Sequence, residues 1–382
     1  MLNGIRIVEL ASYVAGPGAC ALLADWGAEV IKVEAKQGDP WRHFFASVGR
    51  EDTENRVFET DNRGKRSIAL DISDPTDAAT LRALILSADV FVSNTRPASL
   101  ARAGLGWETL RALKPNLIFA NFTGFGTSGP EADKPGFDIT AFWARSGLCS
   151  LMTVKGSEPA QLRTGIGDHM AALGLAGAVC AALLHRERTG EGQKVETSLL
   201  RMGVYAGASE HAIQLQVGRL ASTRPRVEAP NPINNFFRTS DERWFVMVPR
   251  TGSADWVKLA NALGHPEWLE DERFQGVRAR RTNGVALVTL LDAAFTSLSW
   301  DAMAELLDTA GIIWGPVQTV GQVSKDPQAF AAGCFVEVSD ADGVRLLPAG
   351  PIDFGAMPSP KYRPAPKLDE HGDDLRSEYA PA

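Results

Sequence analysis

The chain has 382 residues, 45% of them hydrophobic and 22% charged, with a formal net charge of −7. That length carries one large domain and a smaller one, each with its own core, and the acidic balance excludes a broad nucleic-acid footprint. Cys20, Cys149, Cys180 and Cys334 stand far apart with no CxxC, which reads against structural zinc or a disulfide framework and for a reducing cytoplasm.

Met1 to Gly16 carries Glu9 inside its apolar run and lacks a basic lead-in, so it does not read as a signal peptide. Ile5 to Leu10 reads as a strand. Gly16-Pro17-Gly18 follows as a turn, then Ala19 to Trp26 as a helix and Glu29 to Glu34 as a second strand. Similar units follow: strand 67–70, helix Pro75 to Ala88, strand 90–92, helix Trp107 to Leu113 and strand Leu117 to Phe122. Strands alternating with helices predict a mostly parallel sheet covered on both faces.

A loop rich in Gly and Pro, Gly124 to Gly136, leads into a helical region, Ile139 to Leu151. A second helix is expected from Asp168 to about Glu187. Its uncharged stretch, Met170 to Leu184, would span roughly 22 Å, short of the ~30 Å hydrocarbon core, so it reads as a buried helix with no membrane partner. Pro225, Pro230 and Pro232 mark a linker over 216–233. The expected organisation is a large α/β domain over 1–215, that linker, a small α+β domain over 234–320 and a return segment over 321–382. In the small domain a strand is expected at Trp244 to Val248, with helices near Asp255 to Leu263 and Ala286 to Leu307. From Val344 the return segment is proline-rich and extended, like a strap.

Three motifs carry chemistry. Gly16-Pro17-Gly18-Ala19-Cys20-Ala21 after a strand, with Glu34 ending the next one, fits a nicotinamide-dinucleotide fingerprint or a plain βα turn. Arg42, Asn62, Lys65, Asn94, Thr95, Arg96 and Arg102 form a basic and polar group in which Lys65 and Asn94 lie at the edges of predicted strands. In an acidic chain they suit a phosphate-bearing ligand, or are solvated turn residues. Arg163-Thr164-Gly165-Ile166-Gly167-Asp168 precedes the uncharged helix and places Asp168 at its N-cap. There the helix dipole would favour an ionised carboxylate and present donors to a developing oxyanion; the alternative is a simple capping aspartate.

The opening Gly4 to Leu10, Ala15-Gly16-Pro17, Trp26 to Glu34, Gly38-Asp39-Pro40 and Asn62 to Ser67 together resemble family III coenzyme A-transferases. Asn94 with Arg96-Pro97, Gly165 to Asp168, Thr189 to Gln193, Gly315-Pro316-Val317 with Asp326-Pro327-Gln328, and Leu368 to His371 extend the resemblance over nearly the whole chain, and it displaces the dinucleotide reading. It implies a Rossmann-like large domain with a mostly parallel sheet, a smaller inserted α+β domain and an interlocked homodimer. It also implies that Asp168 is a nucleophile toward an acyl-CoA thioester, and that Val14, Asn62, Lys65, Asn94, Thr95, Arg96 and Arg102 line the CoA site. Coenzyme A and acyl-CoA are then substrates, a small carboxylic acid is the acceptor, and neither a permanent cofactor nor a metal is expected. Two positions depart from the family: Ala35 stands where some members have arginine, leaving Lys36 or Arg42 to substitute, and Asp369 stands where glycine is usual.

The same family includes α-methylacyl-CoA racemases, which place a histidine before an aspartate where this chain has Phe137-Asp138 in the substrate pocket. Phe137 cannot take a proton. His169 adjoins Asp168, but neighbours on a helix diverge by ~100°, so the two would not flank one carbon. The transferase reading is therefore preferred over the racemase, and a CoA-binding protein without catalysis ranks last.

Overall fold

The computed structural model describes residues 1–50, 55–250, 254–341, 343–356 and 362–379. It divides into two units: 1–150 with 159–220 and 331–382, and 151–158 with 221–330.

The first unit is built on six strands: β1 (Arg6–Leu10), β2 (Glu29–Glu34), β3 (Arg66–Ala69), β4 (Val90–Ser93), β5 (Ile118–Thr123) and β6 (Lys194–Ser198). Their order is β3-β2-β1-β4-β5-β6, and every neighbouring pair is parallel. This is the doubly wound order, and it reverses between β1 and β4. The connecting helices are α1 (Ala15–Asp25), α2 (Phe44–Ser47), α3 (Arg56–Asn62), α4 (Pro75–Ser87), α5 (Pro97–Arg102) and α6 (Trp107–Leu113). After β5 the chain forms a π-helical segment (Asp138–Ala144), α7 (Leu148–Met152) and α8 (Ile166–Thr189); after β6 come α9 (Leu199–Ala206) and α10 (Ala208–Val217).

Two of these helices correct the sequence reading. The glycines and proline at 16–18 lie inside the first turn of α1, not before it. A Cβ on Gly18 would stand 3.2 Å from the Ala172 Cβ and 3.3 Å from Asp61 Oδ1, so the glycine serves close packing of α1 on α8. At 24 residues α8 is long and apolar enough to cross a membrane by length and composition, so the argument from length fails. Its buried residues Ala171, Leu175, Ala176, Val179 and Ala182 nevertheless form one face of the core.

On the other sheet face, Val8, Ile31, Ile68, Phe91 and Phe119 pack with Leu81, Leu84 and Ile85 of α4. The return segment forms an antiparallel pair, β10 (Phe335–Asp340) and β11 (Gly343–Pro348), and ends in α17 (Gly372–Tyr379), whose Leu375 is fully buried in that core. Asp369, where glycine is usual in the family, adopts a left-handed φ of 58°. Its carboxylate accepts from Ala69 N (2.8 Å) and from Arg376, which offsets the strain a side chain meets there.

The second unit is α+β. Strands β7 (Asn235–Arg238), β8 (Trp244–Met247) and β9 (Trp314–Pro316) form an antiparallel sheet. Helices α11 (Ala254–Ala262), α12 (Gly276–Thr282), α13 (Gly284–Thr296) and α14 (Trp300–Ala310) pack Trp256, Leu259, Leu291 and Phe295 against Phe237 and Phe245; two short helices, α15 (Val320–Val323) and α16 (Pro327–Ala331), follow β9. The single helix expected over 286–307 is two helices at 119°, because Ser299 caps a fresh start by accepting from Ala302 N. Nor is 216–233 a free linker. Its first residues end α10, and Arg226 pairs with Asp292 at 2.6 Å and donates to the Phe236 carbonyl.

Candidate active site

The carboxyl ends of β1, β4, β5 and β6 open on one cavity of about 400 Å³. Ser12 to Ala15 follow β1, Asn94 and Arg96 follow β4, Phe122 to Gly124 end β5, and Leu199 follows β6. The cavity therefore sits where the strand order reverses, the place at which open parallel sheets bind ligands. Asp168, Phe137 and Lys134 complete its wall.

The chain leaving β1 is held rigidly. Asn94 Nδ2 donates to the Ser12 carbonyl (2.7 Å), and Asn94 Oδ1 accepts from Ser12 N (3.1 Å). Tyr13 then takes a left-handed φ of 68°, its N–H donating to Asp39 Oδ1 and its ring edge-on to Phe137 at 5.6 Å. Such a conformation costs a bulky residue about 1 kcal/mol or more, and it is kept here at the cavity wall.

Asp168 is the third residue of α8, so it is not the N-cap; that position is Gly165, at a φ of 88°. The expectation of a dipole-favoured, ionised carboxylate is also reversed. Burial pushes the Asp168 carboxyl up to about 7, the Asp138 and Asp61 carboxylates push the same way, and His169 opposes them. Asp138 is buried outside the cavity lining, where its Oδ2 accepts from Gly165 N at 2.9 Å and braces the turn that starts α8. Phe137, its neighbour, is exposed and lines the cavity.

The basic cluster separates into two groups. Val14, Asn94 and Arg96 line the cavity, and among the described residues the Arg96 guanidinium has no carboxylate partner. Lys65 and Asn62, expected at the CoA site, are buried at 4% and 0% exposure. Lys65 Nζ pairs with Glu9 at 2.6 Å and donates to the Pro17 and Asp61 carbonyls and to Asn62 Oδ1. Its donors are fully committed, so it cannot reach a ligand as the fold stands. Thr95 and Arg102 also lie outside the lining; Thr95 N donates to Ser93 Oγ, and Arg102 to Ser99 Oγ at 3.0 Å. Arg42 is spent on Glu34, with two contacts of 2.7 Å, and on the Pro366 carbonyl, while Lys36 pairs with Asp77. Glu34 is thereby unavailable to a ribose. Sequence reasoning missed Tyr13 and Lys134 in the cavity wall, and Asp61, which stands within 3.0 Å of His169 Nε2. Among the described residues no cluster of His, Cys, Asp or Glu is arranged to hold a metal ion.

A doubly wound parallel sheet with a cavity at its switch point, lined by one carboxylate among the described residues, is an α/β fold with a ligand site at the carboxyl ends of its strands. The model of CoA-transferase family III matches residues 2–372. The chain is 31% identical to (R)-2-hydroxy-4-methylpentanoate CoA-transferase of Clostridioides difficile, over 97% of this chain and 93% of that protein. It is 32% identical to succinate–glutarate CoA-transferase of Agrobacterium fabrum, again over 97% of this chain and 93% of the other. The crystal structure of a CAIB/BAIF family protein from Brucella suis is 31% identical and superposes with a TM-score of 0.86, covering 99% of this chain and 98% of that one. The protein belongs to CoA-transferase family III and is a transferase enzyme.

Proposed function

We propose that the enzyme moves coenzyme A from an acyl-CoA thioester to a small carboxylic acid through covalent intermediates on Asp168. The observation that carries this reading is that Asp168 is the one carboxylate among the described residues lining the switch-point cavity. The Asp168 carboxylate attacks the thioester carbonyl and expels CoA thiolate, leaving a mixed anhydride. The thiolate attacks the aspartyl carbonyl, releasing the donor acid and forming an aspartyl-CoA thioester. The acceptor carboxylate attacks that thioester, again expelling the thiolate, which then attacks the acceptor's acyl carbon. New acyl-CoA leaves and Asp168 is regenerated. A partly desolvated, more basic carboxylate is a better nucleophile, and exclusion of water protects the anhydrides. Arg96 supplies positive charge at the same cavity for phosphate or carboxylate groups, with Lys134, paired to Glu131 at 3.0 Å, at its rim. Relatives named for a hydroxy acid and for dicarboxylates agree with a carboxylic acid as acceptor. The racemase alternative finds less support, since the cavity-lining residue at the position where the resemblance puts a racemase histidine is Phe137, which cannot take a proton.

Acyl-CoA without acceptor should leave acyl or CoA mass on the peptide holding Asp168, and hydroxylamine should convert that residue to a hydroxamate. Peptide mass spectrometry reads both. An unmodified Asp168 together with deuterium gained α to the thioester in D₂O would establish proton abstraction instead.

The functional unit we propose is a homodimer. Val204, Tyr205, Ile213, Leu215 and Val217 leave α9 and α10 with exposed apolar side chains, the kind of surface that subunit contacts cover. Analytical ultracentrifugation at nanomolar concentration should find dimer only; a native-like, active monomer overturns this assignment.

A further inference from the structure

His169 follows the nucleophile yet lies outside the cavity lining, and it plays no part in the covalent steps above. Its two ring nitrogens face acceptors only. Nδ1 stands 2.8 Å from the Gly165 carbonyl oxygen and Nε2 stands 3.0 Å from Asp61 Oδ1. A neutral imidazole has a single N–H and would set its bare nitrogen against one of these oxygens. Only the imidazolium satisfies both.

Asp61 demands the same charge independently. It sits at the end of α3 with 2% exposure, and among the described residues His169 is the one group that donates to its carboxylate. An ionised carboxylate buried that deeply needs a cation. The arrangement is also built in from neighbouring elements. Lys65 Nζ anchors the Asp61 backbone by donating to its carbonyl (2.8 Å). On α1, Gly18 leaves the space that a Cβ would take 3.3 Å from Asp61 Oδ1.

We propose that His169 is a positioning residue whose imidazolium, clamped between Asp61 and the Gly165 carbonyl, is the positive charge that favours the ionised, nucleophilic form of Asp168 against its burial and the neighbouring carboxylates. This rests on the reading of Asp168 as the nucleophile. The charged groups around Asp168 are Asp138 from the π-helical segment, Asp61 from α3 and His169 from α8 itself, with Arg96 and Lys134 in the same cavity wall. Asp138 and Asp61 oppose ionisation, and His169 acts against them. Asp61 in turn raises the His169 ring above its ordinary value, chiefly through their hydrogen bond, which favours the cation. His169 lies outside the cavity lining, so its charge takes no substrate space.

The test is the rate of Asp168 adduct formation from acyl-CoA in a single turnover, measured from about pH 5.5 to about pH 9 with the full-length enzyme. His169→Gln should move the acidic limb up by about one pH unit, a loss of about ten-fold on that limb that vanishes toward the alkaline end; Asp61→Asn, which also removes a carboxylate opposing Asp168 ionisation, should move it up by less. Asp138→Asn, which keeps an acceptor for Gly165 N, should move the limb the other way. In parallel, the His169 ring followed by ¹³C-detected NMR should titrate above 6.5 in the wild type and fall toward that value in Asp61→Asn. A loss of the same size at every pH in His169→Gln marks a purely structural role and overturns the proposal while the nucleophile stands. Absence of any adduct on wild-type Asp168 defeats the nucleophile reading, and this proposal with it. Should both variants fail to fold by circular dichroism, the wild-type titration decides: a ring titrating at or below 6.5 overturns the assignment.

Discussion

Asp168→Asn should abolish turnover and yet melt at a higher temperature than the wild type at pH 8. The first half follows from chemistry, because an amide cannot form the anhydride, and a loss of about a thousand-fold or more is expected. The second half follows from linkage. The Asp168 carboxyl rises from 3.8 to about 7 on folding, with burial the largest cause. A raised value means that the folded state holds the proton more tightly than the unfolded chain does. The stability this gives is complete below pH 3.8 and drains away as the pH climbs to about 7, where the folded carboxyl ionises. The asparagine variant has no proton to lose. Its advantage should therefore be absent near pH 3.8, grow across the interval and level off above about 7. The full shift corresponds to ~4 kcal/mol at ~1.4 kcal/mol per pH unit; partial exposure of the carboxyl to solvent brings the expectation nearer ~2 kcal/mol. Chemical denaturation of both proteins at several pH values reads the difference directly. Equal stability at pH 8 would remove the case for a site held in a destabilised state for its chemistry.

The alternation of strands and helices in the first 122 residues was legible because parallel strands buried on both faces read as short apolar runs, and five of the six were placed that way. The sixth, β6, escaped. Lys194-Val195-Glu196-Thr197-Ser198 is polar at four of its five positions, as an edge strand with one covered side is free to be. The segment 151–158 escaped for a different reason: it joins the second unit through contacts with Thr223, a partner far along the chain. No local pattern announces such a contact.

The site shows the same division. Asp168 was visible because two glycines and a long uncharged helix frame it. The Asp61–His169 pair was not, since 108 residues separate its members and neither sits in a recognisable motif. Position along the chain also misled. Asn62 to Arg66 reads as one polar cluster, but α3 ends within it and turns Lys65 inward while Arg66 stays at the surface pairing with Glu29. The clue lay elsewhere, in Glu9. A carboxylate amid the apolar run of a central strand requires buried cations, and a close weighing of that one residue would have pulled Lys32 and Lys65 into the core.

That network carries the second large effect: Lys65→Met should cost several kcal/mol of stability. Glu9, Lys32 and Lys65 are all fully buried at their side chains, with Lys32 Nζ 2.9 Å from both Glu9 and Asp39, and Lys65 Nζ 2.6 Å from Glu9. Burial alone would raise Glu9, yet the two lysines hold it below the usual carboxylate range. Lys65 itself is lowered, by burial first, against the pull of Glu9. Methionine matches the lysine stem in length and leaves no cavity to confuse the reading. It takes away one of the two cations beside Glu9 and the donor to the Pro17 and Asp61 carbonyls. Breaking a buried pair in this way costs ~3–5 kcal/mol, because the remaining charge stays desolvated. For a chain of this size that lowers the melting temperature by roughly 4–6 °C. Thermal denaturation at matched pH and scan rate measures it, with donor KM measured on the same preparation at a temperature where both proteins are folded. The two sites for Lys65 then separate cleanly. A phosphate contact would raise KM and leave the melting temperature alone, since a ligand contact at the surface contributes binding and not fold stability. The buried network predicts the reverse, a large loss of stability with KM changed little.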